Sequence, residues 1–396
     1  MKKKLSKKVI RGNVNYRKQF SVVNMVALVL FITISGCQNN DAFMDSESSY
    51  NSTAKIFRSS TNYDQVNLIS DVEEYNPKTI DPNLVNAWGI AFGPTGGIWV
   101  SAAETSVSTI YGQEGNILRP PVHIPFGTEE ANPTGQVFNP TTSFVIPSTG
   151  QVSKFIFVTE NGTIAAWASG NTAVTVADRS ADGAVYKGVT LVNNDGMWFI
   201  YATDFHNGKV DMFDHNFAFI GNNMFSDPTI PTGFAPFNIR EIGGRVFVTY
   251  AKQLGPENKD DEAGPGNGYV NIFNAGGTLK SRFASQGTLN SPWAIEILKF
   301  NNGFAIAPEL PLAQQTILIG NFGDGHINAF DGTGMPLGQL QSNGSPIEIE
   351  GLWALSYPPQ QNTAYMEARN RIYFTSGPDE EEHGLFGYII PSNKKP

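Results

Sequence analysis

The side chains best suited to chemistry in this sequence are carboxylates, amides and histidines that stand beside glycine-rich turns. The candidates for a binding rim are Asn86, Asn238, Asn290, Asp324, His326, Glu350, Glu382 and His383. Oxygen donors of this kind suit Ca²⁺ or another divalent cation, and the mixture of donors and acceptors also suits a polar small molecule. For a metal, the four candidate ligands are Asn238, Asn290, Asp324 and Glu350.

Similar positions elsewhere in the sequence carry further polar residues. They are Thr134, Glu160, Asn161, Lys187, Asp204 and His206, with two segments, 252–267 and 377–384. A simpler interpretation holds for each residue taken singly, because Asn and Asp beside glycine are usual turn residues. By the same reasoning the acidic run at 379–382 is typical of solvated surface. The collective placement of these residues is what favours a shared site.

Several well-defined sites are excluded by the sequence. The stretch DDEAGPGNG lacks the alternating carboxylates and the closing glutamate of an EF-hand. The chain has no His-Glu-x-x-His, Gly-x-Ser-x-Gly, P-loop or dinucleotide fingerprint. Cys37 is the single cysteine, which excludes disulfides within the chain and zinc sites built from several cysteines. A catalytic residue therefore cannot be assigned from motifs.

Short strand patterns fill the chain from about residue 63 to 390, and no amphipathic helix pattern is present. Six similar units recur about every 50 residues, and their first strands read NAWGIAF, TGQVFN, YKGVTLV, FNIREI, PWAIEIL and GLWALSY. Each unit predicts three or four antiparallel strands, which cannot bury both faces alone. We therefore predict an all-β fold, a six-bladed β-propeller.

The ends of the chain are predicted to close this ring. The sixth unit lacks an outer strand, and YDQVNLIS, from Tyr63 to Ser70, has the alternation needed to complete it. A seven-bladed ring is the main alternative, although no seventh unit is visible, and tandem β-sandwiches would need repeats of about 100 residues. In a propeller the interblade loops and the loops between second and third strands share one face. The candidate residues are therefore expected at the mouth of the central channel.

Three tryptophans stand at matching places in different units. Trp88, Trp293 and Trp353 each follow the start of a first strand. Aromatic residues repeated in register through a propeller are usually packed in the core between blades. We predict core positions for all three, not a platform on which sugars stack.

The first 36 residues have the pattern of a secretion signal. Eight basic residues and no acidic one precede the apolar run MVALVLFITIS, which is too short to span a bilayer and suits a signal-peptide core. The following Ile34-Ser35-Gly36-Cys37 resembles the lipobox of bacterial lipoproteins, which implies a lipidated Cys37; an ordinary secretory signal is the alternative. The predicted organisation is a signal peptide at 1–36, the lipidated cysteine and a flexible tether at 37–62, the propeller at 63–391 and a tail at 392–396.

Charge restricts the partners of the predicted mature chain. The whole chain has a net charge of −9, and without the eight basic residues of the leader the remainder carries −17. Such an acidic surface excludes nucleic acid as a partner. The membrane, reached through the lipid anchor, is the expected partner, and the cell envelope is the expected location. Gln38 stands where an aspartate retains some lipoproteins in the inner membrane, which favours the outer membrane.

Several long motifs resemble a family of bacterial conserved hypothetical proteins associated with PEP-CTERM sorting systems. They include DPNLVNAWGIAFGPTGGIWVS, DDEAGPGNGYVNIF, GNFGDGHINAFD and RIYFTSGPDEEEHGLFG. The resemblance covers about residues 64–390 and implies a propeller distantly similar to NHL-repeat domains. It implies no reaction and no catalytic residue. This chain differs from the family in its targeting signal, because a lipobox-like sequence takes the place of a C-terminal sorting signal.

Two functional classes follow from these observations. The first is an envelope lipoprotein whose propeller binds a protein, glycan or small molecule and is not an enzyme. The second is a metal-dependent, lactonase-like hydrolase, in which a cation at the channel mouth polarises a carbonyl or activates water. A purely structural role in the envelope is a third alternative. The absence of catalytic motifs favours binding.

Overall fold

Six antiparallel sheets surround a central axis as the blades of a propeller. The structure is a computed structural model, and it describes residues 62–301, 304–305 and 311–392. Cys37 and the predicted leader and tether up to residue 61 lie outside the described residues. The six-bladed prediction is confirmed.

Within each blade the strands run in order from the axis outward. Blade 1 contains Ala87–Phe92, Ile98–Ala102, Val107–Tyr111 and Val122–His123; blade 2 contains Pro133–Phe138, Phe155–Thr159, Thr163–Trp167 and Val174–Asp178. Blade 3 contains Tyr186–Asn194, Met197–Asp204, Lys209–Phe213 and Phe219–Gly221; blade 4 contains Phe234–Ile242, Arg245–Lys252, Gly268–Asn274 and Leu279–Ser285. Blade 5 contains Pro292–Ile297, Thr316–Asn321, Ile327–Asp331 and Pro336–Gln339; blade 6 begins with Leu352–Ser356, Ile372–Ser376 and Leu385–Pro391.

The outer part of blade 6 comes from the N-terminal side of the described chain. Tyr63–Ser70 pairs antiparallel with Leu385–Pro391, so that Tyr63 faces Pro391 and Ser70 faces Leu385. Thr79–Ile80 adds a short fifth strand, parallel to Tyr63–Ser70. On the axis, the inner strand of blade 6 contacts that of blade 1. The predicted closure of the ring by Tyr63–Ser70 is confirmed.

Short elements decorate the loops between these strands. The minor strands are Pro125–Phe126 with Glu129–Glu130, Phe300–Asn301 with Phe304–Ala305, and Gln341–Ser342 with Ser345–Pro346. The 3₁₀ helices of the described residues are Glu73–Tyr75, Ala103–Thr105, Ser180–Asp182, Leu312–Gln314 and Thr363–Tyr365. None of the helices in the described part of the chain has the length and apolar character to cross a membrane.

Both faces of each blade pack against neighbouring blades. Every residue of Ile98–Ala102, Phe155–Thr159 and Ile372–Ser376 is buried, because side chains that alternate along a strand enter two different cores. The core between blades 1 and 2, for example, joins Trp99 to Phe155, whose rings stack with centroids 4.0 Å apart. This two-sided burial explains why the strands read as nearly continuous apolar runs.

The inner strands share one pattern, which places equivalent residues around the axis. In every blade the pairing between first and second strands shifts register near the start of the inner strand. The residues at that point are Trp88, Thr134, Lys187, Phe237, Trp293 and Trp353, followed by Gly89, Gly135, Gly188, Asn238, Ala294 and Ala354. A Cβ atom on Gly89 would lie 2.7 Å from the carbonyl oxygen of Thr134. Neighbouring inner strands therefore approach too closely for a large side chain here.

The three tryptophans form an aromatic plug across the axis, together with Phe237 and Phe322. Trp353 stacks between Trp88 and Phe322, with centroid separations of 3.3 and 3.9 Å, and Trp293 meets both Trp88 and Trp353 edge-on at 6.0 Å. Trp88, Trp293 and Trp353 are 1%, 5% and 1% exposed. The predicted core role is confirmed, with the rings located on the axis and not between two blades.

Candidate ligand site at the channel mouth

Lys187 occupies a position that is tryptophan in three of the blades. Its side chain is 4% exposed, and its ammonium lies 5.1 Å from the centre of the Trp88 ring and 6.0 Å from that of Phe205. Aromatic faces attract a cation in this way. The inner strand of blade 3 thus places one positive charge on top of the aromatic plug.

Carboxylates from neighbouring loops surround this ammonium group. Lys187 forms an ion pair and hydrogen bond with Glu160 of blade 2, and its Nζ lies 3.7 Å from Oδ1 of Asp260 of blade 4. Burial by itself lowers the pKa of Lys187, but Glu160, with support from Glu381 and Asp260, outweighs burial and raises it. Lys187 is therefore a firmly protonated lysine, which makes it a fixed charge and a poor nucleophile.

Glu381 enters the mouth from the loop of blade 6. Its Oε2 accepts a hydrogen bond of 2.5 Å from Nδ2 of Asn86, whose Oδ1 accepts one of 3.1 Å from Nε1 of Trp353. Burial raises the pKa of Glu381 to about 7; Lys187 and Asn86 oppose this rise, and Glu160 and Asp261 add to it. Glu381 therefore changes its protonation state near neutral pH.

The backbone that presents Glu381 is unusual. Asp379, Glu380 and Glu381 have φ angles of 54°, 54° and 70°, and Asn86 has one of 51°. The left-handed region disfavours residues other than glycine by roughly 1–2 kcal/mol each. The surrounding contacts must offset this strain to hold the loop in place.

Two more carboxylates at the mouth hold protons more readily than usual. Partial desolvation raises the pKa of Glu104, although the residue is exposed, and the nearby Glu160 raises it further. Burial also raises the pKa of Asp261, although the hydroxyl of Ser291 and the charge of Lys187 oppose the rise. Oδ2 of Asp261 and Oγ of Ser291 are both buried. The mouth thus has an excess of negative charge over its lysine.

Asn86 and His383 are the sequence candidates that lie in or beside this cluster. Asp71, which directly follows the closing strand, bonds His383 at 2.7 Å between Oδ2 and Nδ1 and accepts from the backbone N–H of Gly384 at 2.9 Å. The hydrogen bond to Asp71 raises the pKa of His383. The ring closure thereby holds the loop that carries Glu381.

A second group of candidates is brought together in blade 5. Nδ2 of Asn290 donates to Oδ2 of Asp324 at 3.3 Å, and Nδ1 of His326 lies 3.3 Å from Oδ1 of the same carboxylate. Oδ1 of Asn290 accepts from the backbone N–H of Gly264 at 2.6 Å, which ties the long loop of blade 4 to blade 5. These contacts connect loops of the mouth.

The remaining candidates do not join either group. Asn238 is buried among the inner strands, where Nδ2 donates to the carbonyl oxygen of Trp293 at 2.8 Å and Oδ1 accepts from the N–H of Ile239. Glu350 is exposed and accepts from the N–H of Asp379 at 3.2 Å. Glu382 is exposed to solvent. Across residues 62–301, 304–305 and 311–392, no group of three or more His, Cys, Asp or Glu residues could hold a metal ion.

Lys187 and Glu160 lie on loops that the repeat pattern assigns to the mouth, although neither is among the eight candidate binding residues. Asp260, Asp261 and Glu381 lie within the two predicted segments, and Glu104 lies outside the predicted set. One available signal was Lys187 itself, a charged residue at a repeat position that is Trp88, Trp293 and Trp353 in other units. Glu104, Asp260, Asp261 and Glu381 have no comparable signal in the local sequence.

Comparison with known proteins finds matches among solved structures and among sequences. No protein family profile matches the chain. The solved structure of a streptogramin B lyase aligns with a TM-score of 0.47 at 12% identity, covering 83% of this chain and 97% of the lyase. Virginiamycin B lyase from Staphylococcus aureus aligns with a TM-score of 0.43 at 12% identity, covering 84% and 99% of the two chains.

Sequence similarity is higher to two proteins of Acanthamoeba polyphaga mimivirus. Uncharacterized protein R648 is 32% identical over 326 residues, which cover 78% of this chain and 76% of R648. Uncharacterized protein L690 is 33% identical over 329 residues, which cover 78% of this chain and 81% of L690. The chain therefore belongs to the same protein family as R648 and L690.

Proposed function

We propose that this protein is a lipid-anchored protein of the bacterial cell envelope whose propeller binds a small molecule through a cationic group at the channel mouth. The observation that carries the proposal is the charge arrangement around Lys187. Glu104, Glu160, Asp260, Asp261 and Glu381 converge there, and Lys187 is the basic residue among them.

The carboxyl groups of this cluster that do not pair with Lys187 indicate the chemistry of the ligand. Lys187 pairs with Glu160, whereas the pKa values of Glu104, Asp261 and Glu381 are all raised. A carboxyl group whose pKa is raised has too little positive charge around it to compensate for burial. An ammonium or guanidinium group would supply that charge. The pair formed by Lys187 and Trp88 shows that a cation is accommodated beside these carboxylates.

An organic cation is favoured over a metal-dependent hydrolase. The metal alternative needs several oxygen ligands on one centre, and the described residues hold no such group of three His, Cys, Asp or Glu side chains. Of the residues suggested as ligands, Asn238 already has both ends of its amide engaged. Ca²⁺ nevertheless belongs in the binding test as a competing probe.

Binding of a cation at this site is expected to strengthen as the pH rises through 7. A proton on Glu381 competes with the ligand, and with a pKa of about 7 the ionised fraction rises about tenfold between pH 6 and 8. Calorimetric titrations of spermidine, choline and arginine methyl ester into the propeller at low salt should show about this gain in affinity. Glu381→Gln should weaken binding and flatten the pH dependence.

The neighbouring Glu382 provides a matched control for this experiment. Glu382 is exposed, so Glu382→Gln makes the same change in net charge one residue away and should bind as the parent does. Equal effects of the two substitutions would contradict a specific role of Glu381. If no cation bound, the proposed function would be wrong, and binding of Ca²⁺ alone would move the assignment to a metal site.

The envelope location is supported by the lipobox-like sequence and by the resemblance to PEP-CTERM-associated proteins. The motif ends at the single cysteine of the chain, and Gln38 after it favours the outer membrane. The bacterial modification normally adds several acyl chains, which hold a protein stably where a single chain does not. We therefore place the propeller on a tether at a membrane surface.

Cys37→Ser is expected to abolish this anchoring. When the full chain is produced in a bacterium, the parent should enter the detergent phase and take up an alkyne fatty acid. The Cys37→Ser chain should partition into water and remain unlabelled. Ser35→Ala keeps a small residue two positions before the cysteine and serves as the control. Unchanged partitioning of Cys37→Ser would disprove the anchor without affecting the binding proposal.

A further inference from the structure

A cavity lies on the axis, on the side of the aromatic plug that faces away from the mouth. Its volume is about 440 Å³, and its walls come from the later residues of the six inner strands, including Ile90, Val137, Leu191, Arg240, Ile295 and Leu355. The inner strands run away from the mouth, so this cavity is separated from the charged cluster by the plug. Its size is within the range of small-molecule sites.

One side of the cavity is polar because Arg240 reaches from blade 4 to blades 5 and 6. Nη1 donates to the carbonyl oxygens of Ile295 and Leu355 at 2.7 and 3.1 Å, and Nη2 donates to Oε2 of Glu296 at 2.9 Å. Glu296 also accepts from the N–H of Tyr357 at 2.8 Å. A guanidinium group has five N–H donors. The hydrogen bonds of Arg240 to described residues use Nη1 and Nη2, so its Nε–H has no acceptor among those residues.

The pairing fixes both the position and the charge of this guanidinium. Burial raises the pKa of Glu296, but Arg240 and Lys299 outweigh burial and lower it, so the carboxylate is ionised. The charge of Arg240 is thereby balanced, and Glu241 adds a negative group to the lining. Binding of an anion is therefore disfavoured, and a cation would be repelled by the guanidinium group.

The opposite side of the cavity is apolar. Ile90, Phe92, Val137, Phe138 and Trp198 line it. Ile90, Val137 and Trp198 are only partly buried, which leaves part of their surface facing open space. A flat apolar ligand would remove this surface from water at roughly 25 cal/mol for each Å² buried.

We propose that this cavity is a second ligand site, which takes a neutral small molecule with an apolar ring and a carbonyl or hydroxyl oxygen. The ring packs between Val137, Phe138 and Trp198, and the oxygen accepts the Nε–H of Arg240. This site is independent of the cation site at the mouth.

Nile red, a neutral dye with a flat ring system and a carbonyl oxygen, is a suitable probe. We expect saturable binding to the parent protein at a ratio of one to one, with a blue shift of the dye emission. Val137→Trp and Leu191→Trp each add bulk from a different strand and should weaken binding at least tenfold. Arg240→Lys keeps the charge beside Glu296 without the Nε–H donor, and should weaken binding several-fold.

Two further variants serve as controls. Val145→Trp adds the same bulk at a residue that is 43% exposed and outside the cavity lining, so it should bind dye as the parent does. Glu381→Gln changes the mouth and should also leave dye binding unchanged. The inference is overturned if the parent shows no saturable binding, or if the folded Val137→Trp or Leu191→Trp variant binds with the parent affinity. Because Val137→Trp and Leu191→Trp fill the cavity from different strands, the test can still be decided if one of the two variants does not fold.

Discussion

Replacing Lys187 by methionine is expected to destabilise the propeller by about 3–5 kcal/mol at pH 8. The side chain is 4% exposed, and its loss removes the ammonium group that faces Glu160, Asp260, Asp261 and Glu381. The destabilisation should be smaller at pH 5. A carboxyl group whose folded pKa is raised favours folding below its unfolded pKa, and that contribution is lost as the pH rises through the folded pKa. Without Lys187 the folded pKa values of Asp261 and Glu381 should rise further, so protonation of these two groups relieves the repulsion at low pH.

Urea unfolding of the parent and variant at pH 5 and pH 8 measures this difference. Lys252→Met is the matched control, because Lys252 pairs with Glu262 at 2.7 Å while the two side chains are 38% and 44% exposed. An exposed pair of that kind contributes about 0–1 kcal/mol. Equal effects of the two substitutions would show that the mouth is well solvated, and the argument for a buried charge cluster would fail. Glu160→Gln in the Lys187→Met background should recover part of the loss.

Removing Tyr63–Ser70 is expected to have the second large effect, which is loss of the folded ring. This strand pairs along the length of Leu385–Pro391 and buries Leu68 and Ile69 completely. Without it, the edge of blade 6 exposes unpaired backbone groups, which favours aggregation. A chain that starts at Asp71 should be insoluble or should melt far below a chain that starts at Asn62.

Point substitutions make this prediction quantitative. Leu68→Ala should lower the free energy of unfolding by about 2–5 kcal/mol, since it leaves a cavity in the core between blades 6 and 1. Gln65→Ala, at an exposed position of the same strand, should change it by about 0.5 kcal/mol or less. A chain without the strand that melts like the longer one would contradict the role of Tyr63–Ser70 in closure.

The relatives R648 and L690 extend these expectations beyond one chain. The aligned regions cover 76% and 81% of the two mimivirus proteins. The inner-strand pattern and the closure of the ring are properties of the fold, so we expect them in those proteins. The charge cluster at the mouth depends on particular side chains from several blades. The variants of the present chain therefore test this cluster and not a general property of the fold.

The fold could be predicted from the sequence because its signals are local. Alternation within strands, glycine at turns and a recurring unit all lie within about 50 residues of chain. The prediction that Tyr63–Ser70 completes blade 6 also needed only a missing strand at one end and an unassigned strand at the other. The core role of Trp88, Trp293 and Trp353 followed from their repetition.

The candidate site could be predicted only in part. The sequence by itself placed Asn86, Glu160 and Lys187 on one face of the propeller, because repeat position fixes the end of a strand. Only the tertiary structure decided that Glu381 meets Asn86, that Lys187 replaces an aromatic ring on the axis, and that Asp261 lies beside it. Burial and the distances between charges determine pKa values, and the closed ring sets both by bringing together loops that are far apart in the chain.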